Sequence, residues 1–481
     1  MNWRKILRVI GQLMKLEAIL MVLPLLVALS YRESDLVLPF LIPIVLLLGI
    51  GFALSLIKVK HKVTHSRDGL VIVGLSWIIL SFFGCLPYLI SKEIPSFSSA
   101  FFETVSGFTT TGASIINDVE SISKGLLFWR SFTNWIGGMG VLVLLVAIIP
   151  NNDAESIHII GSESPGPQVG KLVAKMRVTS RILYSIYFIM TIILLISLLL
   201  TGMDVFDSIV NTFATAGTGG FSIKNLSIES YNNVPAEIVI TIFMFLFGIN
   251  FNVYYFLIIG YISRALRNEE VKWYLIIVIT SILLITINLF SLYSDFTQAL
   301  RFSSFQVVSI ITTTGFSTTN FDLWPSFSKS ILFLLMFSGA CASSTCGGMK
   351  ISRFMILVKS SLREIKKLLH PRRVSSLTLD KKVIDEGTIR NVGVFFFLYM
   401  LIILIGTLIV SIDGHDMITN ITAVLSSVSN IGPGLSLVGP YGNYSIFSDI
   451  SKLVLSFIML AGRLELFPLL LLFFGRTYKS I

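Results

Sequence analysis

Ile311-Thr312-Thr313-Thr314-Gly315-Phe316-Ser317-Thr318-Thr319-Asn320 lies between two long apolar segments and makes little sense as ordinary membrane helix. β-Branched residues running into a glycine favour extended backbone with a sharp local turn. Inside a bilayer such backbone survives only where protein buries it or where it lines a watery cavity. Its carbonyls then need something to face. A dehydrated cation is the natural candidate, because rings of carbonyl oxygens can replace an ion's hydration shell.

The stretch has relatives within the chain. Phe108-Thr109-Thr110-Thr111-Gly112-Ala113-Ser114 is one, and Thr215-Ala216-Gly217-Thr218-Gly219-Gly220-Phe221-Ser222 is another. Ser429-Asn430-Ile431-Gly432-Pro433-Gly434 is weaker. Matching Gly-Phe-Ser aligns Gly112, Gly220, Gly315 and Gly432, with a register on Gly219 left open. These glycines fall roughly a hundred residues apart, the length of two membrane helices plus a re-entrant loop. Each repeat then offers Thr110, Thr111 and Gly112; Thr218, Gly219 and Gly220; Thr313, Thr314 and Gly315; or Asn430, Ile431 and Gly432 as ion-facing backbone.

Composition agrees. Of 481 residues 54% are hydrophobic and 13% charged, and mean hydropathy is +0.83. Soluble domains carry about 25% charged residues, so the expected class is an all-α polytopic membrane protein. The net charge of +10 resides in short segments between apolar spans, as the positive-inside rule predicts, rather than on a basic face with interleaved aromatics. Cys85, Cys341 and Cys346 have neither metal-ligand spacing nor partner histidines, and read as small buried residues. The basic residues Arg4, Lys5 and Arg8 before an apolar run could mimic a signal peptide, but a retained first span fits the short turn that follows.

Residues 14–30 and 36–57 read as two membrane helices joined by a hairpin, followed by a loop with Lys58, Lys60, Lys62 and Arg67. A unit then repeats: apolar helix, shorter stretch ending in the glycine loop, second helix. The stretches are 70–90, 98–116 and 125–149; 181–201, 205–222 and 235–261; 272–293, 296–320 and 328–358; and 389–411, 416–434 and 450–475. The expected divisions are 1–67 (two N-terminal helices), 68–150, 151–262, 263–370 and 371–481 (four pore units). Lys171, Lys175, Arg177, Arg181, Arg264, Arg267, Lys272, and the run from Lys350 to Arg390 with Lys359, Arg363, Lys366, Lys367, Arg372, Arg373, Lys381 and Lys382, all fall on one side with both termini. Ten spans and four re-entrant loops result, with both termini cytoplasmic.

Short helices aiming their C-termini inward would bring negative dipole ends to the membrane centre. Asp204, Asp295 and Asp416, at the starts of these helices, are either N-caps or attractors of cations to the outer mouth. A second feature is the small-residue run Gly339-Ala340-Cys341-Ala342-Ser343-Ser344-Thr345-Cys346-Gly347-Gly348, interrupting the second helix of the third unit. It is either a close helix-packing surface or, as favoured, a broken helix looping into the pore as a gate. A third is Arg463, read as lying deep in the last span, where arginine is expensive and needs a partner. Glu465 is too near in sequence to share its helix face; carbonyls of the broken helix would serve. Gly137, Gly138 and Gly140 suggest close helix approach. No Walker loop, dinucleotide fingerprint, His-Glu-x-x-His or nucleophile elbow occurs, and His61, His65, His158, His370 and His415 form no cluster, so ATP hydrolysis and enzymatic activity are not expected.

Four helix–loop–helix units, Ser106-Gly107-Phe108-Thr109-Thr110-Thr111-Gly112, Gly138-Met139-Gly140 and Gly347-Gly348-Met349-Lys350 resemble the Trk/Ktr/HKT superfamily of potassium transporters. The two extra N-terminal helices make the chain most similar to its bacterial TrkH type. The resemblance covers essentially the whole chain. It implies a homodimer in the bacterial inner membrane, each subunit with its own pore, and a cytosolic ring of TrkA-like nucleotide-binding subunits on the basic face. No cofactor is expected on this chain, the nucleotide belonging to that partner. It also implies that the four loop glycines line the filter and bind K⁺, that Gly339–Gly348 is the gate, and that Arg463 sits beside it. Relatives with serine at the first filter glycine look sodium-selective; here that position is Gly112, which favours potassium.

The expected function is K⁺ uptake down its electrochemical gradient. The alternative within transport is a Na⁺- or H⁺-coupled symporter, against which counts the lack of an obvious intramembrane acidic or histidine relay. A non-conducting scaffold or sensor would leave four glycine loops without a purpose.

Overall fold

In a bilayer core every backbone N–H and C=O must find its partner within the protein, which turns long apolar runs into helices. The computed structural model describes residues 1–58, 66–140, 176–370 and 376–474. Lys60, Lys62, Lys171, Lys175, Arg372, Arg373, three of the histidines (His61, His65, His158), residues 141–149 of the span read at 125–149 and the division between 150 and 151 lie outside the described residues, as does the side chain of Arg177.

Helices α1 (Trp3–Ser30) and α2 (Val37–Ser55) form an antiparallel hairpin. Gly11 and Gly51 face each other there, and a Cβ on Gly51 would come within 2.9 Å of Gly11 O. Helices α3 (Ser66–Gly84) and α4 (Leu86–Ser91) lead to short α5 (Phe97–Phe108), a glycine loop and α6 (Lys124–Gly138). The same order returns in α7 (Met176–Leu200), short α8 (Val205–Ala216), and then α9 (Val234–Phe247), α10 (Phe251–Ile258) and α11 (Ile262–Leu266). It returns again in α12 (Glu269–Tyr293), short α13 (Phe296–Ile311), and α14 (Ser326–Met336) with α15 (Ile351–Leu369). Last come α16 (Glu386–Val410), short α17 (Met417–Ser429), and α18 (Asp449–Arg463) with α19 (Phe467–Phe473). The sheet among the described residues is a two-stranded hairpin, Thr378–Leu379 with Lys382–Val383.

Six helices among the described residues are long and apolar enough to cross a membrane, and the bent pair α9–α10 makes a seventh. Their outer faces carry exposed apolar stripes at helical spacing: Ile189, Ile193, Ile196 and Leu200 on α7; Ile276, Ile279, Leu283, Ile287 and Phe290 on α12; Phe397, Leu401, Leu404 and Leu408 on α16. Surfaces this apolar face lipid. The molecule is a multi-pass helical membrane protein.

Two second helices read as continuous are broken. The span at 235–261 bends by 90° between Phe247 and Phe251, because Gly248 ends α9 and the Asn250 side chain caps α10 by accepting from Asn252 N at 2.9 Å. The span at 450–475 breaks after Arg463. Glu465 and Leu466 hold φ of 56° and 68°, and Leu466 N returns to Ala461 O at 2.8 Å. Pro468, which has no N–H to leave unsatisfied, opens the next helix. Arg463 therefore stands at a helix end, not deep inside a span.

Candidate functional site

All four short helices end alike. Thr110, Thr218, Thr313 and Asn430 adopt left-handed φ of 55°, 52°, 55° and 56°. Their N–H groups reach back to Gly107, Thr215, Ile310 and Ser427, and the next N–H groups reach Ser106, Ala214, Ser309 and Ser426. This is the Schellman closure, where glycine is usual at the left-handed position. Threonine there is strained by ~1–3 kcal/mol. Two residues on, Gly112, Gly220, Gly315 and Gly432 again have positive φ, at 77°, 65°, 81° and 99°. Sequence had left the register of the second loop open between Gly219 and Gly220; the shared φ pattern aligns Gly220.

The four loops form a closed ring. A Cβ on Gly112 would overlap Gly219 O, one on Gly220 would overlap Thr314 O, and one on Gly315 would overlap Ile431 O. One on Gly432 would come within 2.7 Å of Thr111 O, returning to the first loop. Each glycine thus lies against the carbonyl that precedes the glycine of the following loop. Among the described residues the carbonyls of Thr110, Thr111, Gly112, Thr218, Gly219, Gly220, Thr313, Thr314, Gly315, Asn430 and Ile431 accept no hydrogen bond. Gly432 O does, from Ser426 Oγ and Tyr444 OH. Buried carbonyls without donors are costly unless another positive charge completes them, and four helix C-termini add negative potential at the same place. On one side a cavity of about 110 Å³ is lined by all four glycines with Arg130, Lys224 and Tyr444.

On the other side lies the loop between α14 and α15. Gly339 N donates to Met349 O at 2.8 Å and Ile351 N to Ala340 O at 3.2 Å, so the loop closes at its own neck. Its body fills the break in the second unit: Cys341 N donates to Gly248 O at 3.1 Å, Phe251 N to Ser343 O at 3.0 Å, and Thr345 Oγ1 to Phe247 O at 3.3 Å. Gly347 N donates to Thr313 Oγ1 at 2.8 Å, directly on the third glycine loop. Ala342, Ser344, Cys346 and Gly348 complete this small-residue run. Cys346, Gly347, Gly348, Lys350, Arg463 and Glu465 line a cavity of about 70 Å³.

Arg463 donates to Thr345 O at 2.8 Å and to Gly137 O and Gly138 O at 2.5 and 2.7 Å. One guanidinium thus bridges the loop and the end of α6. Glu465 pairs instead with Arg353 at 2.5 Å. Gly137 and Gly138 permit close approach to the C-terminal ends of the first two short helices: a Cβ on Gly137 would overlap the O of Phe108, the last residue of α5, and one on Gly138 would lie 2.7 Å from the Cα of Gly217, which caps α8. Of the three aspartates at the short-helix starts, Asp295 caps through Thr297 N at 3.0 Å and Asp416 through Thr419 N at 3.1 Å, whereas Asp204 makes no side-chain cap bond.

Sequence reading overlooked Glu270. It lies in the first turn of α12, and its carboxylate accepts from Ala342 N at 2.8 Å and Ser352 N at 3.1 Å, holding the loop at both flanks. Lys350, read from the sequence as part of the basic run and of the Gly347-Gly348-Met349-Lys350 turn, is buried and its amine donates to the Cys346 and Gly347 carbonyls. Four glutamates among the described residues, Glu17, Glu103, Glu237 and Glu270, are buried.

The family model described as TrkH, a cation transport protein, matches residues 40–478. The chain is 34% identical over 485 residues to the Trk system potassium uptake protein TrkG of Escherichia coli (strain K12), covering 99% of both chains. It is 35% identical over 480 residues to the Trk system potassium uptake protein TrkH of the same strain, covering 98% of this chain and 99% of that one. Its fold is similar to the crystal structure of the potassium transporter TrkH from Vibrio parahaemolyticus, with a TM-score of 0.89, 33% identity and 100% of each chain covered.

Proposed function

The chain belongs to the TrkH family of cation transport proteins, and from that footing we propose that it takes up K⁺ through the ring formed by Thr110–Gly112, Thr218–Gly220, Thr313–Gly315 and Asn430–Gly432. The observation that carries this reading is the ring of carbonyls without donors, opening on a cavity lined by all four glycines. A cation shedding water there meets oxygens already in place. A membrane potential of 100 mV supplies ~2.3 kcal/mol per charge, enough for about fifty-fold accumulation without ATP. The decisive experiment is ⁸⁶Rb⁺ uptake into proteoliposomes. Uptake driven by potential and inhibited by K⁺ but not Na⁺ supports the reading, and no uptake with or without a cytosolic partner removes it.

The loop Gly339–Gly348 acts as the gate in this proposal, with the Arg463 guanidinium as a positive charge beside the inner cavity. Glu270 then keeps the gate shut. Hydrogen bonds to a charged group contribute ~1.5–3 kcal/mol, against ~0.5–1.5 kcal/mol for a neutral one, so Glu270→Gln loosens the loop while keeping its shape. We expect a severalfold rise in ⁸⁶Rb⁺ uptake without any regulatory partner. Uptake equal to wild type in a correctly inserted variant would detach Glu270 from gating.

We propose further a homodimer in the bacterial inner membrane, termini inward, regulated by a TrkA-like nucleotide-binding ring. Exposed Arg264, Arg267, Lys366, Lys367, Lys381 and Lys382 offer a basic docking face. A second reading, H⁺-coupled symport, has one observation in its favour. Glu17, midway along α1 and 2% exposed, has no partner for either carboxylate oxygen among the described residues. Alkalinisation of the medium during K⁺ uptake, abolished by Glu17→Gln, would favour it over a plain channel.

A further inference from the structure

The residue seven positions before the left-handed residue is Glu103 in the first short helix, Asn211 in the second, Gln306 in the third and Ala423 in the fourth. Only the first carries a charge. Glu103 pairs with Arg130 of α6 at 2.6 Å, both side chains being almost wholly buried at 0% and 3% exposure. A buried pair needs further hydrogen bonds to offset its desolvation, and these bonds run to the glycine loops. Glu103 accepts from Ser114 Oγ at 3.0 Å and from Ile115 N at 2.9 Å, just beyond Gly112. Arg130 donates to Ser222 O at 2.6 Å, just beyond Gly220, and its guanidinium lies 3.6 Å over the Phe221 ring. Ser114 O accepts from Tyr444 N at 2.8 Å, and Tyr444 OH donates to Gly432 O at 2.8 Å. A single buried pair therefore links the outer ends of the first and second loops, and through Ser114 and Tyr444 reaches the fourth.

Resting on the potassium reading above, we infer that Glu103 and Arg130 are positioning residues that set the separation of the first two filter loops at the outer mouth, and with it the discrimination of K⁺ from Na⁺. Neither side chain coordinates the ion. A filter ranks cations by the number and spacing of its carbonyl dipoles, and a planar guanidinium with two fixed partners holds a spacing that a flexible ammonium does not. Arg130 lines the outer cavity, and Glu103 balances its charge there.

The test measures the ratio of the Na⁺ inhibition constant to the KM for ⁸⁶Rb⁺, together with maximal uptake per inserted protein. Replacing one partner leaves a buried charge alone and endangers folding. The primary variant is therefore the neutral double Glu103→Gln/Arg130→Gln, with Glu103→Asp as the charge-conserving one. We expect the ratio to fall about tenfold in the double variant and less in Glu103→Asp, with maximal uptake within about twofold of wild type. A ratio equal to wild type in both variants, with only insertion or maximal uptake reduced, would show a purely structural pair and overturn the inference. Wild-type protein that takes up no ⁸⁶Rb⁺ would overturn the potassium reading beneath it, an outcome distinct from the first.

Discussion

Gly315→Ser lowers the preference for K⁺ over Na⁺ by at least about tenfold, the equivalent of ~1.4 kcal/mol in relative binding. Two costs combine at this position. Gly315 has φ +81°, a conformation that side-chain-bearing residues adopt at a penalty of ~1–2 kcal/mol. Its Cβ would also overlap Ile431 O and come within 2.7 Å of Pro433 Cδ. Backbone rather than a side-chain tip stands in the way, so the serine is accommodated only if the fourth loop shifts and carries the Ile431 carbonyl with it. K⁺ and Na⁺ competition against ⁸⁶Rb⁺ uptake measures the effect. Unchanged selectivity in a normally inserted protein would take Gly315 out of the filter.

Deletion of Gly339–Gly348 raises K⁺ leak without the regulatory partner by at least about tenfold, or ~1.4 kcal/mol in the balance between closed and open. Ser338 and Met349 form a parallel bridge at the neck of the loop, so the two ends to be joined lie side by side and a short turn connects them. Among the contacts that disappear are the Gly347 N–H on Thr313 Oγ1, the carbonyl of Thr345 that anchors Arg463, the Ala342 N–H on Glu270 and the bonds to Phe247, Gly248 and Phe251. Leak is read as ⁸⁶Rb⁺ uptake into proteoliposomes holding this chain alone. Flux at or below the wild-type level, from a protein shown to be inserted, would mean that the loop supports the pore rather than closing it.

Much of this arrangement was legible from local pattern. Threonines before a glycine, repeated at a period of about a hundred residues, located the four loops. The small-residue run located the break in the third unit, since so few large side chains cannot sustain a membrane span. Helix starts at Asp295 and Asp416 followed from capping preference. The breaks in the second and fourth units were harder. Gly248-Ile249-Asn250 is too brief to interrupt an apolar run on composition alone, and Leu464-Glu465-Leu466 contains no glycine, so its two left-handed residues could not be anticipated from propensity.

By itself the sequence determined the class of molecule and the number of glycine loops, because hydropathy, periodicity and turn preference act over a few residues and need no partner; it did not give the left-handed threonines that close the short helices. Tertiary structure alone decided which carbonyl faces which glycine, where Arg463 finds its acceptors, and that Glu103, Arg130 and Glu270 tie loops together. The physical reason is that a buried polar group must be satisfied, yet its identity does not name its partner. Glu465 illustrates the point: it stands two residues from Arg463 and pairs with Arg353 across 112 positions of chain. The register of the ring was settled in the same way, by contacts between loops that only folding brings within reach.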